Sequence, residues 1–125
     1  MSNMNKDDKT LVMGASLKPE RYSNIAIERL RRNGYKTIAV GLRKGLVRDV
    51  EITNEQIAFE DIHTITVYVG ADRLKTSEDY ILSLNPKRLI FNPGAENPEF
   101  AAKAKEQGIK VVHACTLVML STGQY

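Results

Sequence analysis

The sequence predicts an α/β fold, Rossmann-like and doubly wound, with a mainly parallel five-stranded sheet flanked by helices. Three observations carry this. Short, nearly continuous apolar runs rich in β-branched residues recur along the chain, as expected of strands buried on both faces. Helical apolar patterns lie between them. Gly14, Gly41, Gly70 and Gly94 stand at or just after the carboxyl ends of runs, whereas Gly34 and Gly108 close helices at the opposite edge. One domain over 10–125 accounts for all of these, preceded by a polar arm over 1–9 expected to be flexible.

The first run, Leu11 to Met13, breaks at Gly14 into a loop. The helix that follows, Tyr22 to Asn33, places Tyr22, Ile25, Ala26 and Leu30 on one stripe and stops at Asn33-Gly34, a C-terminal cap. The second strand is read over Thr37 to Val40. Between Leu46 and His63 the pattern is weaker, with Val50 to Ile52 as an extra short strand and Asn54 to Asp61 holding a helical turn. Ile65 to Val69 is the third main strand. A helix over about 75–84 groups Leu74, Ser77, Ile81 and Leu84, and Asn85-Pro86 ends it. Arg88 to Phe91 is the fourth strand. Asn97 then caps a helix with Pro98 in its first position, Ala101 and Ala104 inward and Gly108 as its stop. Ile109 to Val112 is the fifth.

Composition narrows the function classes. With 42% apolar and 26% charged residues, the 125-residue chain falls in the globular range, and a net charge of +3 is too small to predict a nucleic-acid surface. The single cysteine, Cys115, excludes an intrachain disulfide framework and leaves no zinc-ligand spacing. No apolar stretch approaches the roughly 20 residues of a membrane span, so the expected location is cytoplasmic, by elimination, with no membrane partner.

The rim of glycines is where an anion belongs. Gly14 lets backbone N–H groups approach a phosphate, and the helix after it presents its positive dipole end to the same place. The loop is neither a Walker A sequence nor the full GxGxxG fingerprint. Ser16 is read as a hydroxyl donor, Lys18 and Arg21 add charge, and Ser23 and Asn24 offer donors at the helix entrance. After the second strand, where a ribose-binding acid would indicate NAD, the chain has Arg43 and Lys44. Two cations there suit a further phosphate on the ribose, as in NADP or coenzyme A. So small a chain favours a binding module over a hydride-transferring enzyme.

These residues resemble a family. Val12-Met-Gly-Ala-Ser16 with Pro19 and Ser23, Gly34-Tyr35 before Ile38-Ala-Val40, Val67-Tyr-Val69, Asn97-Pro-Glu, and Gly108 to Cys115 match in order and spacing. The chain is similar to stand-alone coenzyme A-binding domain proteins, whose fold is that of the amino-terminal domain of the succinyl-CoA synthetase α subunit. The resemblance implies that Gly14, Ala15, Ser16 and Lys18 contact the diphosphate, helped by Ser23 and Asn24. It implies Arg43 and Lys44 at the 3′-phosphorylated ribose, and Val69, Gly70 and Ala71 beside the adenine. Asn92, Pro93, Gly94 and Ala95 would line the pantetheine route. The chain departs from the family at Val40-Gly-Leu42, where Val-Asn-Pro is common, and at Gly70, where an Arg is common.

No catalytic or metal-binding set is expected. His113 and Cys115 alternate along the last strand and could share a face, but packing is the stronger reading of both. His63 reads as a turn residue. The leading expectation is non-enzymatic binding of coenzyme A or an acyl-CoA. The alternatives are an NADP-dependent or acyl-CoA-processing enzyme completed by a partner chain, and a ligand-free interaction scaffold. Edge strands in a small sheet also admit a homodimer.

Overall fold

The computed structural model describes residues 4–125. Seven strands, β1 (Lys9–Ala15), β2 (Lys36–Gly41), β3 (Gly45–Val47), β4 (Val50–Thr53), β5 (Ile62–Val67), β6 (Arg88–Phe91) and β7 (Lys110–His113), form one sheet in the order β3-β4-β2-β1-β5-β6-β7. All neighbours are parallel except β3, which runs antiparallel to β4. The expected five-stranded sheet is therefore seven-stranded. The two additions come from the segment whose pattern is weakest. Val47, Val50 and Ile52 are buried there, and a turn at Arg48 (φ 58°) reverses the chain. Asp49 in that turn receives Arg31 through Nε at 3.0 Å and Nη2 at 2.8 Å, which ties the hairpin to the first helix. Residues 54–61 form no helical turn. That loop is held by the Tyr80 hydroxyl on the Ile57 carbonyl (2.6 Å), and Phe59 packs against the core.

Helices cover both faces, as a doubly wound sheet requires. On one face α2 (Ala71–Leu74), a 3₁₀ turn (Lys75–Ser77), α3 (Glu78–Ser83) and α4 (Pro98–Glu106) bury Leu74, Ile81, Phe100 and Ala104 against Leu11, Ile65, Leu89 and Phe91. On the other, α1 (Tyr22–Arg32) and α5 (Thr116–Ser121) lie over Val12, Ala39 and Ile90. The helix read as one piece over about 75–84 is thus two short helices joined by a tighter turn, beginning at Ala71. The inward stripe of α1 is also rotated from the expected one. Ser23, Ala26, Ile27 and Leu30 are buried at helical spacing, whereas Tyr22 is 71% exposed.

Of the arm expected over 1–9, residues 1–3 lie outside the described residues. Met4 is buried, and Lys6 donates to the Asn33 carbonyl at 2.6 Å while its ammonium stands 4.0 Å over the Tyr35 ring. On the α5 face the sheet carries a polar strip. Arg88 is buried and donates to Thr64 Oγ1 (2.9 Å) and to the main-chain oxygen of Tyr125 (2.8 Å). The Tyr125 hydroxyl bonds Thr10, and its ring lies 4.6 Å from the Arg88 guanidinium.

Burial pushes the Tyr125 phenol up to about 12 from an ordinary 10. The folded state therefore holds a proton that the unfolded chain releases above pH 10. Stability from this group is complete below pH 10 and is lost as pH rises through about 12. A rise from 10 to about 12 sets its size at roughly 3 kcal/mol. Denaturant titrations across this range should show an alkaline decline, and Tyr125→Phe should lessen it, leaving the share of Tyr68 and Tyr80, whose phenols burial also pushes up. An unchanged pH profile in the variant would remove the assignment.

Candidate functional site

β1 occupies the middle of the sheet, with β2 on one side and β5 on the other. The chain leaves β1 toward β2 and later returns to β5, so a crevice opens above the carboxyl ends at this switch point. Three loops meet there. Gly14 sits in a bulge where the register of β1 against β2 shifts, with φ +92°. A Cβ on it would stand 2.5 Å from Val69 Cγ2 and 3.3 Å from the Tyr68 carbonyl carbon. The loop after β1 thus presses directly on the segment after β5. At the other side, a Cβ on Gly41 would overlap the Ala15 carbonyl oxygen. This accounts physically for glycine where the resembled family commonly has asparagine.

The loop after β1 is braced from within. Ser16 Oγ accepts the Lys18 N–H at 3.1 Å, and the Ser16 carbonyl accepts Asn24 Nδ2 at 2.9 Å. As an acceptor toward Lys18, the Ser16 hydroxyl keeps its proton to donate. The N-terminus of α1 is open electrically. Arg21 at the N-cap is extended and supplies no side-chain cap, the first turn has no acid, and Arg29, Arg31 and Arg32 occupy the last turn. The N–H groups of Asn24 and Ile25 bond the Arg21 carbonyl, which leaves those of Tyr22 and Ser23 as the helix's donors. The contrast is α4, whose entrance is filled by the Asn97 side chain on the Phe100 N–H and faces Glu99.

Arg43 and Lys44 are exposed in the turn between β2 and β3. Gly41 and Gly45 bracket that turn, Gly41 lying against Ala15 at the end of β1 and Gly45 against Leu17 in the loop that follows. Both cations therefore share a rim with Ser16 and Lys18. Two residues absent from the expected set stand there too: Leu17, 41% exposed, and Leu42, 80% exposed. An apolar residue between a turn glycine and two cations was the sequence signal for Leu42. Across the crevice, Gly70 caps α2 in extended backbone with open space where a side chain would be, flanked by half-buried Val69 and Ala71.

The other expected residues divide. Ser23 and Asn24 are buried, the second spent on the Ser16 carbonyl. Asn92 is 1% exposed, and its amide reaches inward to Thr66 Oγ1 (2.7 Å), the Val67 carbonyl (2.9 Å) and the Thr116 N–H (2.9 Å). Pro93 and Gly94 are exposed at the end of β6. Glu96's own N–H, and then the Gly94 N–H, which donates to both of its carboxyl oxygens (3.0 and 3.1 Å), hold that carboxyl below its usual range. Ala95 is buried.

His113 is exposed and stacks on Phe91 with ring centroids 5.5 Å apart, while Cys115 is half-buried at the entrance of α5. Among the described residues no three His, Cys, Asp or Glu side chains gather to hold a metal, and no helix is long and apolar enough to cross a membrane.

A family model described as a CoA binding domain matches residues 8–121. Among solved structures, a crystal structure of an uncharacterized protein is 45% identical, with a TM-score of 0.93 over 97% of this chain and 100% of that one. A hypothetical protein from Pyrococcus horikoshii OT3 is 24% identical (TM-score 0.83; 94% of this chain, 84% of that one). A protein from Thermus thermophilus is 23% identical (TM-score 0.82; 95% and 91%). These last two share the fold. No curated protein matches the chain.

Proposed function

This chain belongs to the CoA-binding domain family, and from that premise we propose that it is a binding module for coenzyme A or an acyl-CoA held on the β1/β2/β5 rim. The observation that carries the reading is the open N-terminus of α1 beside Gly14. A long helix with no acid in its first turn and no side-chain cap faces a loop in which any Cβ at Gly14 would crowd Val69. Such a cradle suits a diphosphate bound through backbone N–H groups, with Ser16 donating its hydroxyl and Lys18 adding charge. Arg43 and Lys44 are then placed to neutralise the 3′-phosphate. Leu42, beside them, and Val69 to Ala71 offer apolar surface and open space to the adenosine. Coenzyme A supplies the thiol that carries an acyl group. The protein's part is to bind and orient it, with Pro93 and Gly94 beside the pantetheine and Asn92 fixing that loop from below.

Isothermal titration with CoA, dephospho-CoA, NADP and NAD tests this reading. CoA is expected to bind best. Loss of its 3′-phosphate should cost one charge-assisted contact, about 1.5–3 kcal/mol or roughly ten- to a hundredfold in affinity. Arg43→Ala should erase most of that difference while leaving dephospho-CoA binding nearly unchanged. Equal affinity of the parent protein for the two ligands would remove Arg43 from the site, and tighter NADP binding would replace the cofactor assignment.

A further inference from the structure

Charge is segregated along this chain in a way the nucleotide rim does not use up. Residues 16–48 hold nine Lys or Arg against Glu20 and Glu28, whereas residues 49–72 hold six Asp or Glu and no Lys or Arg. The fold places a feature of opposite shape in each block. In the basic block a groove of about 510 Å³ runs between α1 and β3, floored by Leu17, Ile25 and Val47 and edged by Arg29 and Arg32. Glu28, the one acid lining it, is already engaged by Arg48 at 3.5 Å. In the acidic block the loop 54–61 lies on the opposite face, the face of α3, with Glu55, Glu60 and Asp61 exposed on either side of Ile57 in sequence. Ile57 is 42% exposed. The loop is nonetheless anchored, since its Phe59 is packed on the core and its Ile57 carbonyl accepts the Tyr80 hydroxyl. It is thus a preformed apolar knob flanked in sequence by acids, with the Lys9 ammonium on the Glu60 carbonyl (3.2 Å).

We propose that the α1/β3 groove receives the 54–61 loop of a second copy of this chain, with Ile57 over Leu17 and Ile25, and Glu55 and Glu60 against Arg29 and Arg32. Charge complementarity selects this occupant. A two-fold pairing of groove on groove would bring Arg29 and Arg32 against their own copies, and like charges across an interface oppose association. Groove and knob lie on opposite faces of the sheet, so the contact is head-to-tail and each bound pair leaves one groove and one knob free. Leu17 belongs to the same loop as Ser16 and Lys18, so the joint abuts the nucleotide rim, but this inference does not depend on which ligand that rim binds.

Sedimentation equilibrium on the full chain tests it. The mass of the parent protein is expected to rise with concentration, and to fall back toward monomer as salt goes from about 0.1 M to about 1 M, which shortens the Debye length from about 10 to about 3 Å. The groove variant Arg29→Glu/Arg32→Glu and the knob variant Ile57→Arg should each remain monomeric alone. Mixed in equal amounts they should form a dimer and nothing larger, because each retains the surface the other has lost. This mixing also proves both variants folded. A parent protein that stays monomeric at all concentrations, a salt-insensitive two-fold dimer, or a mixture that fails to pair would overturn the proposal.

Discussion

Gly14→Ala is expected to abolish coenzyme A binding and to lower stability by about 2–4 kcal/mol. Two independent costs add. An L-residue at φ +92° carries about 1–3 kcal/mol of backbone strain. The new methyl would also meet Val69 Cγ2 at 2.5 Å, an overlap that a β-branched neighbour with few rotamers relieves poorly. The loop must then lift from the segment after β5, and the same movement withdraws its N–H groups from the proposed diphosphate position. Denaturant unfolding and titration calorimetry on one preparation measure the two effects. The double variant Gly14→Ala/Val69→Ala separates them, since it removes the overlap and leaves the strain. It should recover part of the stability and little of the binding. Full binding by Gly14→Ala would mean that the diphosphate is not held by this loop.

Asn92→Ala is expected to cost about 2–4 kcal/mol, more than an ordinary surface change. The side chain joins β5, the end of β6 and the start of α5 through three buried hydrogen bonds. Truncation leaves the Thr116 N–H without that partner away from water, at about 1–3 kcal/mol, while the Val67 carbonyl loses one of two donors and keeps the N–H of residue 92 at 3.3 Å. The Thr66 hydroxyl retains Thr116 Oγ1 at 2.7 Å and is the lesser loss. Asn92→Asp should be as damaging, because a carboxylate cannot donate to the Val67 carbonyl and its charge is buried. Urea titration gives the comparison. If the Ala variant is within 1 kcal/mol of the parent, water has replaced the amide and the brace is dispensable. With the fold retained, CoA affinity in this variant reports whether bracing of the Pro93–Gly94 loop matters to the ligand.

The alternation of apolar runs and helical patterns carried the fold class because it follows from local physics. A strand covered on both faces is apolar throughout, and a surface helix repeats its buried residues every three or four positions. Asn97, Pro98 and Gly108 were legible for the same reason. Cap and stop chemistry acts within a few residues of its cause. The β3–β4 hairpin was less legible because its strands are three and four residues long, and its buried Val47, Val50 and Ile52 join a core assembled from distant residues such as Val12, Ile27 and Leu30. The helix α5 follows a buried strip of threonines, Asn92 and Arg88 assembled from distant segments, and nothing near Thr116 announces it.

The sequence by itself determined that glycines and cations gather at one end of a parallel sheet, because βα alternation and right-handed crossovers leave strand carboxyl ends on a common rim. Tertiary structure alone decided which side chains on that rim face outward. Ser16, Lys18, Arg43 and Lys44 remain at or near the surface, while Ser23, Asn24 and Asn92 are turned into the protein. The reason is that a buried amide or hydroxyl must find its partner wherever packing supplies one. Here the partners are the Ser16 and Val67 carbonyls, Thr66 and the Thr116 N–H, and the local pattern around Asn24 or Asn92 contains no trace of them.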